Sequence, residues 1–283
     1  MPAEPITSAS NPRILAAARL RDARQRRDTG LTLVDGRREI ARAAAAGVEI
    51  VEVFVDAERL AAPPDWLEAL ESRGARLTPV RGAALARVAF GDRNEGCVAV
   101  IRFRGRAIDE VVFAPDRPLL VVEGIEKPGN LGAILRTVDA AGLGGIIACG
   151  GGTDPANPAT IRASLGTVFS VALACGTTAD ALAACTASRR RVVAAMPEGS
   201  GLWHEADLTG GPAILLGSEA RGIDPAWQAA AARGLVRLDT IRLPMLGQAD
   251  SLNVAATAAV LAYECQRQED ARRPRTAPED HQA

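Results

Sequence analysis

The chain has 283 residues, 48% of them hydrophobic and only 3% aromatic, with a formal net charge of −1. That length and apolar content suffice for two ordinary cores packed mainly by Ala, Val and Leu. No apolar run approaches the roughly 20 residues of a membrane-spanning helix, and the opening Met1-Pro-Ala-Glu-Pro-Ile-Thr lacks the basic and apolar regions of a signal peptide.

Residues 1–12 are predicted as an extended arm. Ser10-Asn11-Pro12 then caps a helix whose apolar positions Ile14, Leu15, Ala18 and Leu20 carry it to about Arg27, where Thr29-Gly30 stops it. Leu31–Val34 reads as a strand, Arg37–Ala46 as a helix ended by Gly47, and Ile50–Val55 as a second strand. A helix over Trp66–Ser72 and strands over Arg76–Val80 and Val98–Phe103 complete the alternation of a small α/β domain, residues 1–105. Residues 106–118, charged, holding two prolines and without periodicity, are the expected linker.

Leu119-Leu-Val-Val-Glu123 is a continuous apolar run of the kind found in buried parallel strands, and it opens a second domain, residues 119–269. The pattern predicts a helix from Leu131 to Ala141, a strand at Ile146–Cys149, a loop at Gly150-Gly-Gly-Thr-Asp-Pro155, a short helix at Pro158–Leu165 and a strand at Val168–Ala174. Helix 178–188, strand Arg191–Ala195, strand Ala213–Gly217, helix 225–233, strand 236–243 and a final helix from Ser251 to about Gln268 follow. The charged, proline-containing tail 270–283 is expected to be disordered.

Charge and cysteine placement say more than their totals. Residues 13–42 hold nine arginines against four acids, either a solvated helix face or a surface that tracks phosphates. Five scattered cysteines (97, 149, 175, 185 and 265) without a Cys-x-x-Cys pair point to reduced thiols in a cytoplasm and away from a zinc site. Only two histidines, His204 and His281, are present, and neither lies in a motif, so the usual general base is missing from the candidate chemistry.

Three stretches carry the functional signal, each where a strand hands over to a loop or helix. The first is Glu123-Gly-Ile-Glu-Lys-Pro-Gly-Asn-Leu-Gly-Ala-Ile-Leu-Arg136, in which Asn130 is placed to cap the next helix and Arg136 lies six residues on. Arg136 either pairs with Asp139, one turn away, or faces a substrate. The second is Ala213-Ile-Leu-Leu-Gly-Ser-Glu-Ala-Arg-Gly222, where Gly217 allows a sharp turn at a strand end and Glu219 either favours a helix start or serves the site. The third is Ile241-Arg-Leu-Pro-Met-Leu-Gly-Gln-Ala-Asp-Ser-Leu-Asn253, in which Pro244 ends a strand and Ser251 caps a helix of small residues.

In that order the three resemble the motifs of the SpoU (TrmH-type) RNA ribose methyltransferases of the SPOUT superfamily. Ser10-Asn-Pro-Arg-Ile14, the arginine-rich helix and Leu31–Glu39 are similar to the ribosomal-protein-like substrate-binding domain of many members, among them the thiostrepton-resistance methyltransferase. Two departures are small: Ser218 stands where many relatives have Asn, and Asp35 where they often have Glu. The resemblance implies an α/β fold whose carboxy-terminal SPOUT domain has a mostly parallel sheet and a deep trefoil knot. It implies S-adenosyl-L-methionine as cofactor, held near Leu216, Gly217, Ile241, Met245, Ser251 and Leu252 without metal, and structured RNA, ribosomal above all, as substrate. Arg136, Asn130, Glu219, Ser251 and Asn253 become the catalytic candidates, and Arg19, Arg24, Arg26, Arg27 and Arg162 the RNA contacts. The same resemblance implies a homodimer, paired partly through Leu252, Ala255, Ala256, Ala259, Val260 and Tyr263. Methylation of transfer RNA or of an RNA base, and a non-catalytic RNA-binding assembly factor, are the alternative readings.

Overall fold

The computed structural model describes residues 4–60, 64–89, 95–218 and 221–272. Its amino-terminal part runs α1 (Pro12–Arg19), α2 (Ala23–Thr29), β1 (Leu31–Asp35), α3 (Arg37–Ala45), β2 (Ile50–Asp56), α4 (Ala57–Leu60), α5 (Asp65–Ser72), β3 (Arg76–Val80), α6 (Ala83–Val88) and β4 (Cys97–Arg102). The strands form one sheet in the order β1-β4-β2-β3, with β4 antiparallel to both its neighbours and β2 parallel to β3. Strand alternation sends Leu33, Phe54 and Val98 to one face, against Ile14 and Ala17 of α1, and Val34, Val53 and Ala99 to the other.

The single helix predicted to reach Arg27 is two helices. Asp22 interrupts it, because its carboxylate accepts from the backbone N–H of Arg24 at 2.7 Å and of Gln25 at 3.2 Å and so starts α2 afresh. Gly30, at φ +67°, then ends α2 in the left-handed region.

The remainder runs β5 (Arg106–Ala107), β6 (Leu119–Ile125), α7 (Pro128–Ala140), β7 (Gly145–Gly152), α8 (Pro158–Ala163), β8 (Leu173–Cys175), α9 (Thr178–Ala187), β9 (Val192–Ala195), β10 (Gly201–Leu202), β11 (Ala213–Leu216), α10 (Pro225–Ala232), β12 (Leu238–Arg242) and α11 (Val254–Arg272). Its eight strands pair in the order β10-β12-β9-β11-β6-β7-β8-β5, every pairing parallel. All seven residues of β6 are buried, as a strand covered on both faces requires. α9 and α10 cover one face through Ala181, Cys185, Trp227 and Ala230, while α7 and α11 cover the other through Leu131, Ile134, Leu261 and Ala262.

Four expectations are corrected here. The 106–118 passage is more than a connection, since β5 pairs with β8 at the sheet edge and a short 3-10 turn, Ile108–Glu110, follows. Gly150–Gly152 extends β7 and is no separate loop, although all three glycines sit at positive φ. The strand predicted from Val168 begins only at Leu173, because a 3-10 turn at Thr167–Phe169 comes first. α11 continues to Arg272, into the expected tail; residues 273–283 lie outside the described residues.

Candidate active site at the carboxyl edge of the parallel sheet

The progression of strands across the large sheet reverses beside β6: β7 and β8 lie to one side of it, β11, β9 and β12 to the other. Open parallel sheets hold ligands outside the carboxyl ends of their strands near such a reversal. A cleft of about 540 Å³ lies there, lined by the ends of β9 (Ala195, Met196, Pro197), β11 (Leu216, Gly217, Ser218) and β12 (Arg242, Leu243, Pro244, Met245), and by residues 250–252 leading into α11.

Glycine is required where this edge is most crowded. A Cβ at Gly217 would lie 2.2 Å from the backbone carbon of Gly222, because Ser218 and Gly222 exchange backbone hydrogen bonds of 3.0 Å and pinch the loop shut. One at Gly199 would lie 2.2 Å from the carbonyl of Ile241. The cleft is therefore shaped by backbone approaching backbone, and its wall is mostly apolar with a few polar groups, Ser218, Asp250, Ser251 and Thr257 among them.

Of the six residues expected to hold the donor, Leu216, Gly217, Met245, Ser251 and Leu252 line this cleft. Ile241 does not. Its side chain is buried in the core, and its carbonyl accepts from Met196 N–H at 2.9 Å, closing β12 onto the end of β9. Met196 and Pro197 were not singled out from sequence, although a Pro directly after an apolar strand is a strand-end signal.

Motifs one and three meet through two asparagines. Asn253 donates from Nδ2 to Oδ1 of Asn130 at 3.2 Å, while its own Oδ1 accepts from Ala255 N–H at 2.9 Å. Asn253, not Ser251, is thus the cap of α11, and Ser251 is left exposed on the cleft wall. Asn130 is not a cap either. Pro128, whose fixed φ suits a first helical position, starts α7 two residues earlier with Lys127 as its N-cap, which puts Asn130 inside the first turn.

Arg136 is exposed, and among the described residues it forms neither an ion pair with Asp139 nor any other polar contact. It does not line the cleft and sits farther along α7. Gly132, on the same helix, lets α7 pack tightly on α8: a Cβ there would come within 2.4 Å of Ala163 Cβ. Glu219 lies outside the described residues.

A buried acid missed by the sequence reading supports the cleft from below. Glu123, 4% exposed at the end of β6, accepts from Thr178 Oγ1 at 2.8 Å, Trp227 Nε1 at 3.0 Å and Asp224 N–H at 2.7 Å. It ties together the starts of α9 and α10 beneath the motif-two loop. An acid closing an otherwise apolar strand was the available signal.

The arginines expected to meet RNA divide. Arg19, Arg24 and Arg27 are exposed, with Arg24 loosely paired to Asp28 at 3.8 Å. Arg26 is a correction. It is buried, donates from Nε to Asp154 Oδ2 at 2.9 Å and from Nη1 to the carbonyls of Leu20 and Arg21 at 3.1 and 2.8 Å, and so has no surface to offer RNA. Arg162 is partly buried and lies 3.6 Å from the buried carboxylate of Asp35. All five thiols are free, and burial pushes them up, Cys175 and Cys185 to about 11 and Cys97 and Cys265 to about 12, so they stay protonated.

Comparison with known proteins agrees with this geometry. Residues 117–263 match the family model of the SpoU rRNA Methylase family, and residues 11–99 match an MRM3-like substrate binding domain. The chain is 33% identical over 238 residues to the 23S rRNA (guanosine-2'-O-)-methyltransferase RlmB of Bordetella pertussis, covering 81% of this chain and 94% of that one. Among solved structures, the AdoMet-bound rRNA methyltransferase from Sinorhizobium meliloti superposes with a TM-score of 0.81 at 27% identity, over 93% of this chain and 97% of that one. The SpoU methyltransferase AviRb from Streptomyces viridochromogenes, in complex with AdoMet, does so with a TM-score of 0.80 at 27% identity, over 93% and 100%.

Proposed function

The chain belongs to the SpoU rRNA methylase family, and from that premise we propose that it transfers a methyl group from S-adenosyl-L-methionine to a ribose 2′-hydroxyl of ribosomal RNA. The observation that carries this reading is the meeting of all three motifs at one sheet edge, with Asn130 bonded to Asn253 beside a cleft of small-molecule size. The residues present fit the donor: an apolar wall for a nucleoside and thioether chain, and strand-end backbone groups beside Gly217 and Met245 for polar edges. When bound, that donor supplies an electrophilic methyl group already activated by its sulfonium.

The protein's task is to bring the hydroxyl to that methyl and to stabilise charge on its oxygen. A guanidinium stays protonated and makes a poor base. Arg136 therefore acts electrostatically, fixing a substrate phosphate and lowering the cost of negative charge on the attacking oxygen. The Asn130–Asn253 pair holds α7 against the start of α11, and Ser251 is presented to the same space. Glu219 belongs to this set by its motif position.

The deep knot goes with the reading. So does a homodimer. Leu246 is 97% exposed, Tyr263 and Leu252 are also exposed, and Ala255, Ala259 and Val260 are only half-buried, so the apolar surface of α11 and of the loop before it is not consumed by its own core. Among the described residues no helix is long and apolar enough to cross a membrane, and work on ribosomal RNA puts the protein in the cytoplasm.

The deciding experiment incubates purified protein with ribosomal RNA and isotope-labelled donor, then analyses nuclease digests by mass spectrometry. Label on a ribose is expected. Label on a base, or none on any RNA despite donor binding, rejects the proposal.

A further inference from the structure

Domains joined by a short connection ordinarily move against each other unless the contact between them is large and apolar. Here it is apolar and also pinned. One continuous core runs from Val34 and Ile40 of the first domain to Leu131, Ile161 and Val168 of the second. Phe103 and Phe169 meet edge to face across it at 5.0 Å between ring centroids.

Among the described residues, four polar contacts fix the orientation. Arg26 reaches Asp154 with its side chain only 3% exposed. Thr32, fully buried, donates from Oγ1 to the carbonyl of Ala156 at 2.5 Å. Asp35 meets Arg162, and Arg42 donates from Nη1 to the carbonyl of Leu165 at 2.8 Å. Leu165 is itself in the left-handed region at φ +56°, followed by Gly166 at +84°, a turn that brings the backbone against α3.

All four land on residues 154–165, the segment that contains α8. The other side of α8 is the α7 contact, so tight that Gly132 has no room for a Cβ. An unbroken stack thus runs from α2, β1 and α3 through α8 to α7, and from α7 through Asn130 to Asn253 at the start of α11.

We infer that α8 is a rigid spacer that sets the angle between the RNA-holding domain and the helix bearing Arg136, and that Asp154 and Thr32 are positioning residues for the reaction. The inference rests on the methyltransferase reading. Its physical need is plain. A ribose held by a surface on one domain must arrive at a methyl group held by the other, and a misplacement of about 1 Å can cost on the order of 100-fold in rate. Thr32 and Arg26 are buried, and Asp154, 31% exposed, adds only a negative charge that neither a phosphate nor the donor sulfonium site in the cleft contacts. The effect on rate of loosening these contacts therefore comes through geometry and is read beside the stability of each variant.

The test uses the full chain as Asp154→Asn, Thr32→Val and the double variant. Donor affinity is measured by calorimetry, affinity for ribosomal RNA by filter binding, and methyl transfer under single-turnover conditions. Spin labels on Glu71→Cys and Glu205→Cys report the distance between domains. The double variant should keep donor affinity within about twofold and RNA affinity within about threefold, while its single-turnover rate falls at least 30-fold and the label distances broaden. Thr32→Val, which preserves shape, should show the same split more weakly. An unchanged rate, label distances already broad in the parent, or donor binding lost in parallel with rate would overturn the proposal. A parent that binds donor yet methylates no RNA would instead remove the functional reading, with the label distances still judging the spacer.

Discussion

At the carboxyl edge of the large sheet, the positions that decide the shape have little or no side chain: Gly217 against Gly222 and Gly199 against Ile241. Across the amino-terminal domain the opposite holds, and nine arginines between residues 13 and 42 dominate the surface and its joints. Most of those arginines are already engaged. Arg13 pairs with Glu52, Arg38 with Glu39 and Arg26 with Asp154, while Arg21 donates to Arg87 O, Arg42 donates to Leu165 O and Arg37 lies over the ring of Trp66. A backbone-built site thus announces itself through glycine spacing, whereas a count of charges overstates a binding surface until each partner is known.

The largest effect should come from Arg136→Ala, at the arginine proposed for catalysis, which has no partner among the described residues. The rate of methyl transfer should fall roughly 10²- to 10³-fold, the scale of losing one charge-stabilising donor. Donor affinity should stay within about twofold, because Arg136 does not line the cleft. A variant with normal single-turnover rate would return Arg136 to a solvated helix face and leave the site with no cation from α7.

Next comes Gly132→Ala, a single methyl group. It must displace Ala163 or tilt α7, at about 1–3 kcal/mol for overpacking, which thermal denaturation reads as a fall in Tm of several degrees. Alanine at Gly129, on the same helix but with open space around it, serves as the control and should cost far less. Equal losses at both positions would show that helix propensity, not the α7–α8 contact, sets the requirement.

The amino-terminal segment can be divided by the same logic. Replacing Arg19, Arg24 and Arg27 by Gln should leave folding intact and flatten the salt dependence of RNA affinity by roughly 0.7–0.9 log units for each phosphate no longer neutralised. Arg26→Gln should act on stability instead, since it leaves Asp154 without its partner and removes hydrogen bonds to two backbone carbonyls. Filter binding at two salt concentrations, with denaturant unfolding of both proteins, separates the two behaviours. A salt slope that the triple variant leaves unchanged would strip this segment of its RNA role.

What could be read from sequence follows a physical divide. β6, β9 and β11 were legible because strands buried on both faces are nearly continuous apolar runs, and the motif residues of the cleft were legible because Gly, Pro and Ser mark strand ends. Helix starts were not. Asn130 and Ser251 both resemble caps, yet Pro128 and Asn253 take the starts, and that choice is made by which side chain reaches a free N–H in three dimensions. Arg26 was illegible for a related reason: its partner Asp154 lies 128 residues away, inside what reads as an ordinary Gly-Thr-Asp-Pro turn. Glu123 likewise draws its partners from two helices that follow 55 and 101 residues later.

The smallest effect is the most specific, because among the described residues the side chain of Asn253 serves two partners with two atoms. Its Oδ1 caps α11 and its Nδ2 reaches Asn130, so two substitutions separate them. Asn253→Ala removes both and should cost about 1 kcal/mol of stability, the usual scale of a missing N-cap. Asn253→Asp keeps an acceptor for Ala255 N–H, so stability should stay close to the parent in denaturant titrations. It has no Nδ2, however, and sets a carboxylate opposite the oxygen of Asn130. Methyl transfer should therefore drop in both variants while only Ala loses stability. If Asp restores the rate along with the fold, the Asn130 bond has no part in the chemistry, and motif three contributes at this position only by starting its helix.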